Sequence, residues 1–311
     1  MSLAAMRSRR PPVPGADSPT AQVLDYLMAT RSQIEDAAAR MPVPRRAVTR
    51  PLDGPVRGLT VVDDRALVRD GDDEVMSTDR VLLHLHGGAY CLGSAATDRG
   101  LAGVLSRTAL AAVVMPEYRL APEDAFPAGL DDVHATYRWL VDDRGVAASR
   151  VALSGASAGG GLGAALLVRL RDEGSQLPAC FVAMSPWMDL AATGKTIVSL
   201  AHKDPWLPAD LVRPAGELYA GAAPLDDPLI SPLYADLTGL PPMLVHVGGD
   251  EILLDDAERF VAAARRHGVD ASLGRFEGLW HVFQLVPGLP ESRDAIREIG
   301  GFVRRHTSSP W

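Results

Sequence analysis

Residues 150–170 read RVALSGASAGGGLGAALLVRL. The opening RVALS is a short, mostly apolar run of β character, and the closing GGLGAALLVRL carries a helical pattern. Between them stands Gly155-Ala156-Ser157-Ala158-Gly159, a G-x-S-x-G sequence. A serine on so sharp a strand-to-helix turn is held in a strained conformation with its hydroxyl exposed. A Cβ on either flanking glycine would meet neighbouring backbone. The helix start behind the serine offers N–H groups and a positive dipole end to a developing oxyanion. The string alone also occurs in small-residue turns without chemistry, so the strand before it and the helix after it are what support the chemical reading.

Working outward, β-rich runs alternate with helical patterns from about residue 80 onward. Residues 80–86 (RVLLHLH), 110–115 (LAAVVM), 150–154, 180–185 (CFVAMS), 243–247 (MLVHV) and 271–276 (ASLGRF) read as strands. Several are continuous apolar runs, as strands buried on both faces require. Residues 98–110, 129–143, 158–173, 254–267 and 291–306 read as helices. This alternation predicts an α/β fold, a mostly parallel central sheet flanked by helices.

Two regions depart from it. Ser18 or Thr20 can cap a helix whose apolar face runs Val23, Leu27, Ile34, Ala38, Met41, with Pro42 and Pro44 ending it. The stretch between Ser185 and Met243 is far longer than a crossover needs and holds Trp187, Met188, Trp206, Leu207, Leu211 and Tyr219. Both are read as one helical cap over the sheet's active edge. The expected division is 1–50 as the N-terminal part of the cap and 51–311 as the catalytic domain, with a cap insertion at about 188–225.

The bulk numbers set limits. A chain of 311 residues can hold one large α/β domain with an insertion, or two ordinary domains. Its composition, 47% apolar and 23% charged, is that of a globular protein in water. A net charge of −8 argues against a nucleic-acid groove. Arg7, Arg9 and Arg10, with Arg45, Arg46 and Arg50 further on, read as solvated surface. No stretch approaches the roughly 18–20 apolar residues of a membrane span. Pro11, Pro12 and Pro14 stand where a signal peptide would carry its apolar run, so no secretory signal is expected and the cytoplasm is the expected compartment. Cys91 and Cys180 have no metal-ligand spacing and read as reduced thiols.

His86-Gly87-Gly88-Ala89-Tyr90 follows the first predicted strand. Acyl transfer passes through an oxyanion, and preorganised backbone donors stabilise it best. Two glycines let the chain come close, so the N–H groups of Gly87 and Gly88, with that of Ala158, are the candidate oxyanion hole. His84 and His86 alternate on the strand as a metal pair could, but no acid or cysteine cluster accompanies them, and no metal is expected.

A serine nucleophile needs a base, and the base needs an orienting acid. His281 stands on a loop after strand 271–276, whereas His134 and His267 lie in helical patterns, His246 in a strand, His202 in the cap and His306 in the tail. The acid should follow strand 243–247, in the chain order serine, acid, histidine. Asp250 and Glu251 both stand there, and spacing alone leaves the choice open.

HGGAY at 86–90, EYRLAPEDAFPAGLDD at 117–132, GASAGGG at 155–161, GGDEILLDD at 248–256 and GLWHVF at 278–283 together resemble the hormone-sensitive-lipase-like family of bacterial esterases. The resemblance implies an α/β-hydrolase core of about eight strands, a two-part cap, short-to-medium acyl ester substrates and no metal or organic cofactor. Ala89 replaces the family's usual third glycine, and Ala156 stands where Asp or Thr is common. The family's acid loop, D-P-L-x-D-E, aligned on Leu253 and Asp255, puts the acid at Glu251. The expected site is therefore Ser157, Glu251 and His281, with Tyr90 and Trp187 lining the acyl and alcohol pockets. Arg119, Glu123, Asp131 and Asp132 are expected to brace the core.

The expected partner is a small-molecule ester, with no nucleic acid and no membrane span, and a homodimer is left open. An amidase, peptidase or lactone hydrolase on the same fold is the alternative. A ligand receptor built on a dead hydrolase would have lost a member of the constellation, and here all are present.

Overall fold

Ser157 sits at the end of a central strand of an eight-stranded sheet in the computed structural model. The structure describes residues 13–15, 18–38, 40, 43–64, 67–70, 73–76, 80–286 and 288–307. Arg7, Arg9, Arg10, Pro11, Pro12 and the helix stop at Met41 and Pro42 lie outside the described residues.

The strands are β1 (Ala47–Pro51), β2 (Gly58–Asp63), β3 (Leu67–Asp70), β4 (Asp73–Met76), β5 (Val81–Leu85), β6 (Ala112–Pro116), β7 (Val151–Ala156), β8 (Cys180–Met184), β9 (Met243–Gly248) and β10 (Ala271–Phe276). The helices are α1 (Thr20–Ala38), α2 (Arg99–Ala109), α3 (Ala128–Arg138), α4 (Ala158–Asp172), α5 (Thr196–Ser199), α6 (Ala209–Ala220), α7 (Leu254–Arg266) and α8 (Pro290–His306). The main sheet runs β1-β2-β6-β5-β7-β8-β9-β10, and β3 and β4 form a separate hairpin. The β1–β2 and β2–β6 pairs are antiparallel, and every pair from β6 to β10 is parallel.

Period-two alternation divides each central strand between two cores. Leu83, Leu85, Leu153, Phe181 and Val245 face the layer of α3, α4 and α7. Leu82, Val113, Ala152, Val182 and Leu244 face the layer of α2 and α8. All of these are buried, and each large side chain contributes roughly 1.5–3 kcal/mol of transfer free energy. This two-sided burial is why several of the strands, β6 and β8 above all, read as continuous apolar runs.

The six predicted strands and five predicted helices are present, with local differences. Leu110 is not in β6; it caps α2 in the left-handed conformation (φ 53°, ψ 54°), and the strand starts at Ala112. The helix over 129–143 becomes a π-turn at Trp139–Asp143. The antiparallel strands β1 and β2 were not expected. Because β1 pairs into the sheet, the sheet begins before residue 51, and a division at 50/51 would cut through a strand.

The bracing carboxylates find partners at the surface. Arg119 grips Asp132 through two nitrogens, Arg169 pairs with Asp131, and Arg31 of α1 pairs with Glu123. Among the described residues, no helix is long and apolar enough to cross a membrane.

Candidate active site

The turn after β7 holds Ser157 at φ 53°, ψ −120°, a sparsely populated conformation for a residue with a Cβ. Surrounding backbone enforces it. The Ser157 N–H donates to the Met184 carbonyl (2.9 Å), and its carbonyl accepts from Trp187 N–H (3.0 Å) and Gly160 N–H (2.9 Å). A Cβ at Gly155 would run into the Gly159 carbonyl, and one at Gly159 into the carbonyls of Leu85 and His86. Only glycine lets the strand end and helix start approach this closely.

The structure brings Ser157, His281 and Glu251 together. His281 Nε2 lies 2.9 Å from Ser157 Oγ, and His281 Nδ1 lies 3.1 Å from Glu251 Oε1. A carboxylate only accepts, so Nδ1–H is the donor, and in the neutral ring Nε2 is left to accept the serine proton. All three side chains are buried. Glu251 Oε2 is fixed separately, accepting from Ser185 Oγ (2.7 Å) and Gly248 N–H (2.8 Å). Asp250 instead points outward to Lys203 Nζ (3.0 Å).

Ser185 was missed from the sequence. Its hydroxyl donates to Glu251 and accepts from Val282 N–H (3.0 Å), so it ties the acid loop to the histidine loop. No motif marks it: Ser185 follows β8, and only the pairing of β8 with β9 brings it beside the acid.

Gly87 lies against the serine; a Cβ there would stand 3.3 Å from Ser157 Cβ. Gly88 has φ 127°, and Ala89 and Tyr90 follow at φ 53° and 61°, so three successive residues hold left-handed conformations. Ala89 therefore takes a backbone shape that its Cβ disfavours. Among the described residues, no acceptor engages the N–H groups of Gly87, Gly88 or Ala158, the last being the first residue of α4.

His86 supports this loop. Its Nδ1–H donates to the Gly87 carbonyl (2.8 Å), its ring stacks on Tyr118 (4.2 Å), and burial pushes its pKa below the ordinary value. His84 bonds Ser154 and Asp98. The two histidines thus serve the loop and the sheet, and among the described residues no three potential metal ligands gather.

Above Ser157 and His281 lies a cavity of ≈ 590 Å³. Tyr26, Leu27 and Ile34 from α1 line it, with Trp206, Leu211 and Val212 from the insertion and Trp187 from the loop after β8. Tyr90 is a correction to the expected lining. It is 2% exposed, stacks on Tyr219 (3.8 Å) and lies behind the wall in the core. The left-handed backbone of the HGGAY loop turns its ring inward, where Tyr219 of α6 meets it.

Two buried acids anchor the base of the insertion. Asp256 Oδ2 accepts from the N–H groups of Met188 (3.0 Å) and Asp189 (2.9 Å), while Asp189 is held by Arg259 (3.0 Å). Burial, reinforced by the neighbouring Asp189 charge, pushes the Asp256 carboxyl up to about 8. The folded chain therefore holds this proton more tightly than the unfolded one, where an aspartate titrates near ~3.9. That stability is complete below the unfolded value and is lost as pH rises through about 8. Asp256→Asn keeps an acceptor but does not titrate. The wild type is expected to lose melting temperature relative to this variant between about pH 4 and 8. Parallel melting curves across that range would contradict the assignment.

A family model described as the α/β-hydrolase fold matches residues 82–285. A crystal structure of an esterase from the bacterial hormone-sensitive lipase (HSL) family superposes with TM-score 0.86 at 40% identity, covering 98% of this chain and 97% of that one. The chain belongs to the hormone-sensitive-lipase-like group of α/β-hydrolases. Among its relatives in this family, an acetyl-hydrolase of Streptomyces hygroscopicus is 44% identical over 73% of this chain and 76% of its own length. An esterase of Acinetobacter venetianus is 34% identical over 73% of this chain and 75% of its own.

Proposed function

We propose that this hormone-sensitive-lipase-like protein hydrolyses short-to-medium acyl esters through a covalent acyl-enzyme on Ser157. Carboxylic ester hydrolysis by a serine mechanism is the chemistry of the family to which the chain belongs. The observation that carries the residue assignment is the hydrogen-bonded line Ser157–His281–Glu251 (2.9 and 3.1 Å) beneath a cavity of ≈ 590 Å³.

His281 Nε2 takes the Ser157 proton as Oγ attacks the ester carbonyl. The N–H groups of Gly87, Gly88 and Ala158 receive the oxyanion, and Glu251 holds Nδ1–H so that the imidazolium is stabilised. The tetrahedral intermediate collapses, the C–O bond breaks, and His281 returns its proton to the leaving alcohol. Water then attacks the acyl-enzyme by the same route, giving the acid and free Ser157.

The cap in this reading is α1 together with the insertion of about 188–225, since α1 packs on α6 and both line the cavity. Trp187 borders the bound ester. Residence in the cytoplasm, with Cys91 and Cys180 as free buried thiols, belongs to the same proposal.

A series of nitrophenyl esters tests the substrate range. Turnover is expected to favour acyl chains of roughly two to eight carbons, because a cavity of this size encloses a small ligand. Preferred hydrolysis of emulsified long-chain triglycerides would overturn it.

A further inference from the structure

Two consecutive residues, remote in sequence from Glu251, hold the residues on either side of it. Lys203 and Asp204 lie in the segment that joins α5 to α6, and Asp204 is buried. Lys203 Nζ lies 3.0 Å from Asp250 Oδ1. Asp204 Oδ2 accepts from the N–H of Ile252 (3.0 Å), the peptide nitrogen that directly follows Glu251. Thr196 of α5 takes the other side of Ile252. Its Oγ1 donates to the Ile252 carbonyl (2.8 Å) and accepts from Asp255 N–H (2.9 Å).

The loop that carries Glu251 needs such support. It lies between the end of β9 at Gly248 and the start of α7 at Leu254, outside both hydrogen-bonded ladders. Ile252 is fully buried, so its N–H depends on an acceptor within the protein. The Lys203–Asp250 pair is partly exposed and weak, which leaves the buried Asp204 contact as the stronger arm of the bracket.

The other oxygen of the same carboxylate serves the cavity. Asp204 Oδ1 accepts from the N–H groups of Trp206 (2.8 Å) and Leu207 (3.0 Å), in the run Pro205-Trp206-Leu207-Pro208 that lines it. One buried side chain thus joins the cavity wall to the loop of the orienting acid.

We propose that Asp204 is a positioning residue for the hydrolysis: by holding the Ile252 peptide it sets Glu251 against His281, and it ties that setting to the cavity wall. The inference rests on the ester-hydrolase reading and adds a residue to its mechanism. Glu251 Oε1 meets His281 Nδ1 at 3.1 Å, and misplacing such a group by about 1 Å can cost roughly 100-fold in rate.

The test measures Asp204→Asn and Asp204→Ala, each alone and combined with Glu251→Gln, on nitrophenyl acetate. Asparagine has one acceptor oxygen, which the two N–H groups of the wall attract. Its NH₂ then faces Ile252 N–H, two donors opposed, and the loop is displaced. Each variant should lower kcat by about tenfold or more, with KM changed by less than about threefold. Added to Glu251→Gln, the same substitution should cost less than about twofold further, because its effect runs through the carboxylate already removed.

Unchanged kcat in Asp204→Asn overturns the proposal. A raised KM with kcat kept overturns it too, since Asp204 would then only shape the wall. So does a full, additive loss on top of Glu251→Gln, the mark of a general packing role. Should Asp204→Ala fail to fold by circular dichroism, the isosteric Asp204→Asn decides alone. Failure of the ester-hydrolase reading is distinguishable, since wild type would then leave nitrophenyl acetate unhydrolysed.

Discussion

Ser157→Ala is expected to lower ester hydrolysis by about 10⁴-fold or more while the fold stays intact. The loss is large because the nucleophile, its base and the orienting acid act as a unit. With Oγ gone, His281 Nε2 has nothing to deprotonate, and the acyl-enzyme cannot form. What survives is the contribution of the backbone donors and of binding. The fold should tolerate the change because Ser157 is held by its own backbone, with the Met184 carbonyl on one side and Trp187 and Gly160 on the other. Relief of the φ 53° strain is not expected, since alanine also carries a Cβ. Initial rates on a short nitrophenyl ester, read beside far-ultraviolet circular dichroism, measure both halves. Retention of more than a tenth of the activity would remove Ser157 from the mechanism.

Glu251→Gln should cost at least about 100-fold in turnover, whereas Asp250→Asn should cost less than about tenfold. Ser185 Oγ–H and Gly248 N–H both donate to Glu251 Oε2, so a glutamine carbonyl oxygen is drawn to that side. The amide NH₂ then faces His281 Nδ1 and favours the tautomer whose proton sits on Nε2. That imidazole cannot accept from Ser157. Asp250 is held by Lys203 in a partly exposed pair, where such interactions are weak. Steady-state kinetics of the two variants ranks them, and the reverse order would show that the acid lies one residue earlier.

Legibility in the sequence followed the physics of burial. β5, β7, β8 and β9 were readable because each is buried on both faces and so is mostly apolar. The run is unbroken in β8 and interrupted only by His84 in β5, by Ser154 and Gly155 in β7, and by His246 in β9 before its end at Gly248. β1 and β2 were not, because an antiparallel pair at the sheet's edge keeps residues such as Arg50 and Thr60 partly exposed and lacks that signature. β1 also ends at Pro51, a residue that edge strands tolerate and that weakens the strand pattern. Leu110 was drawn into β6 by its apolar side chain, although its left-handed backbone ends α2.

Within the site, Ser157, Gly87 and His281 could be read because special backbone or chain order marks them. The choice of Glu251 over Asp250 needed the family register, since both carboxylates follow the same strand. Ser185 carries no motif of its own and acquires its place only when β8 and β9 lie side by side. Tyr90 was misread because an aromatic beside an oxyanion loop suggests a pocket wall, whereas three left-handed residues turn it toward Tyr219. Asp204 likewise carries no motif, and its place appears only where the fold sets it between Ile252 and Trp206.

The central claim is that an acyl group passes through Ser157. Incubation with a nitrophenyl phosphonate, followed by mass spectrometry of the peptides, tests it most directly. The account predicts one covalent adduct, on Ser157, formed in step with loss of esterase activity and strongly slowed when His281 is replaced by alanine. An inactivated protein whose adduct lies on another residue, with Ser157 unmodified, would contradict it.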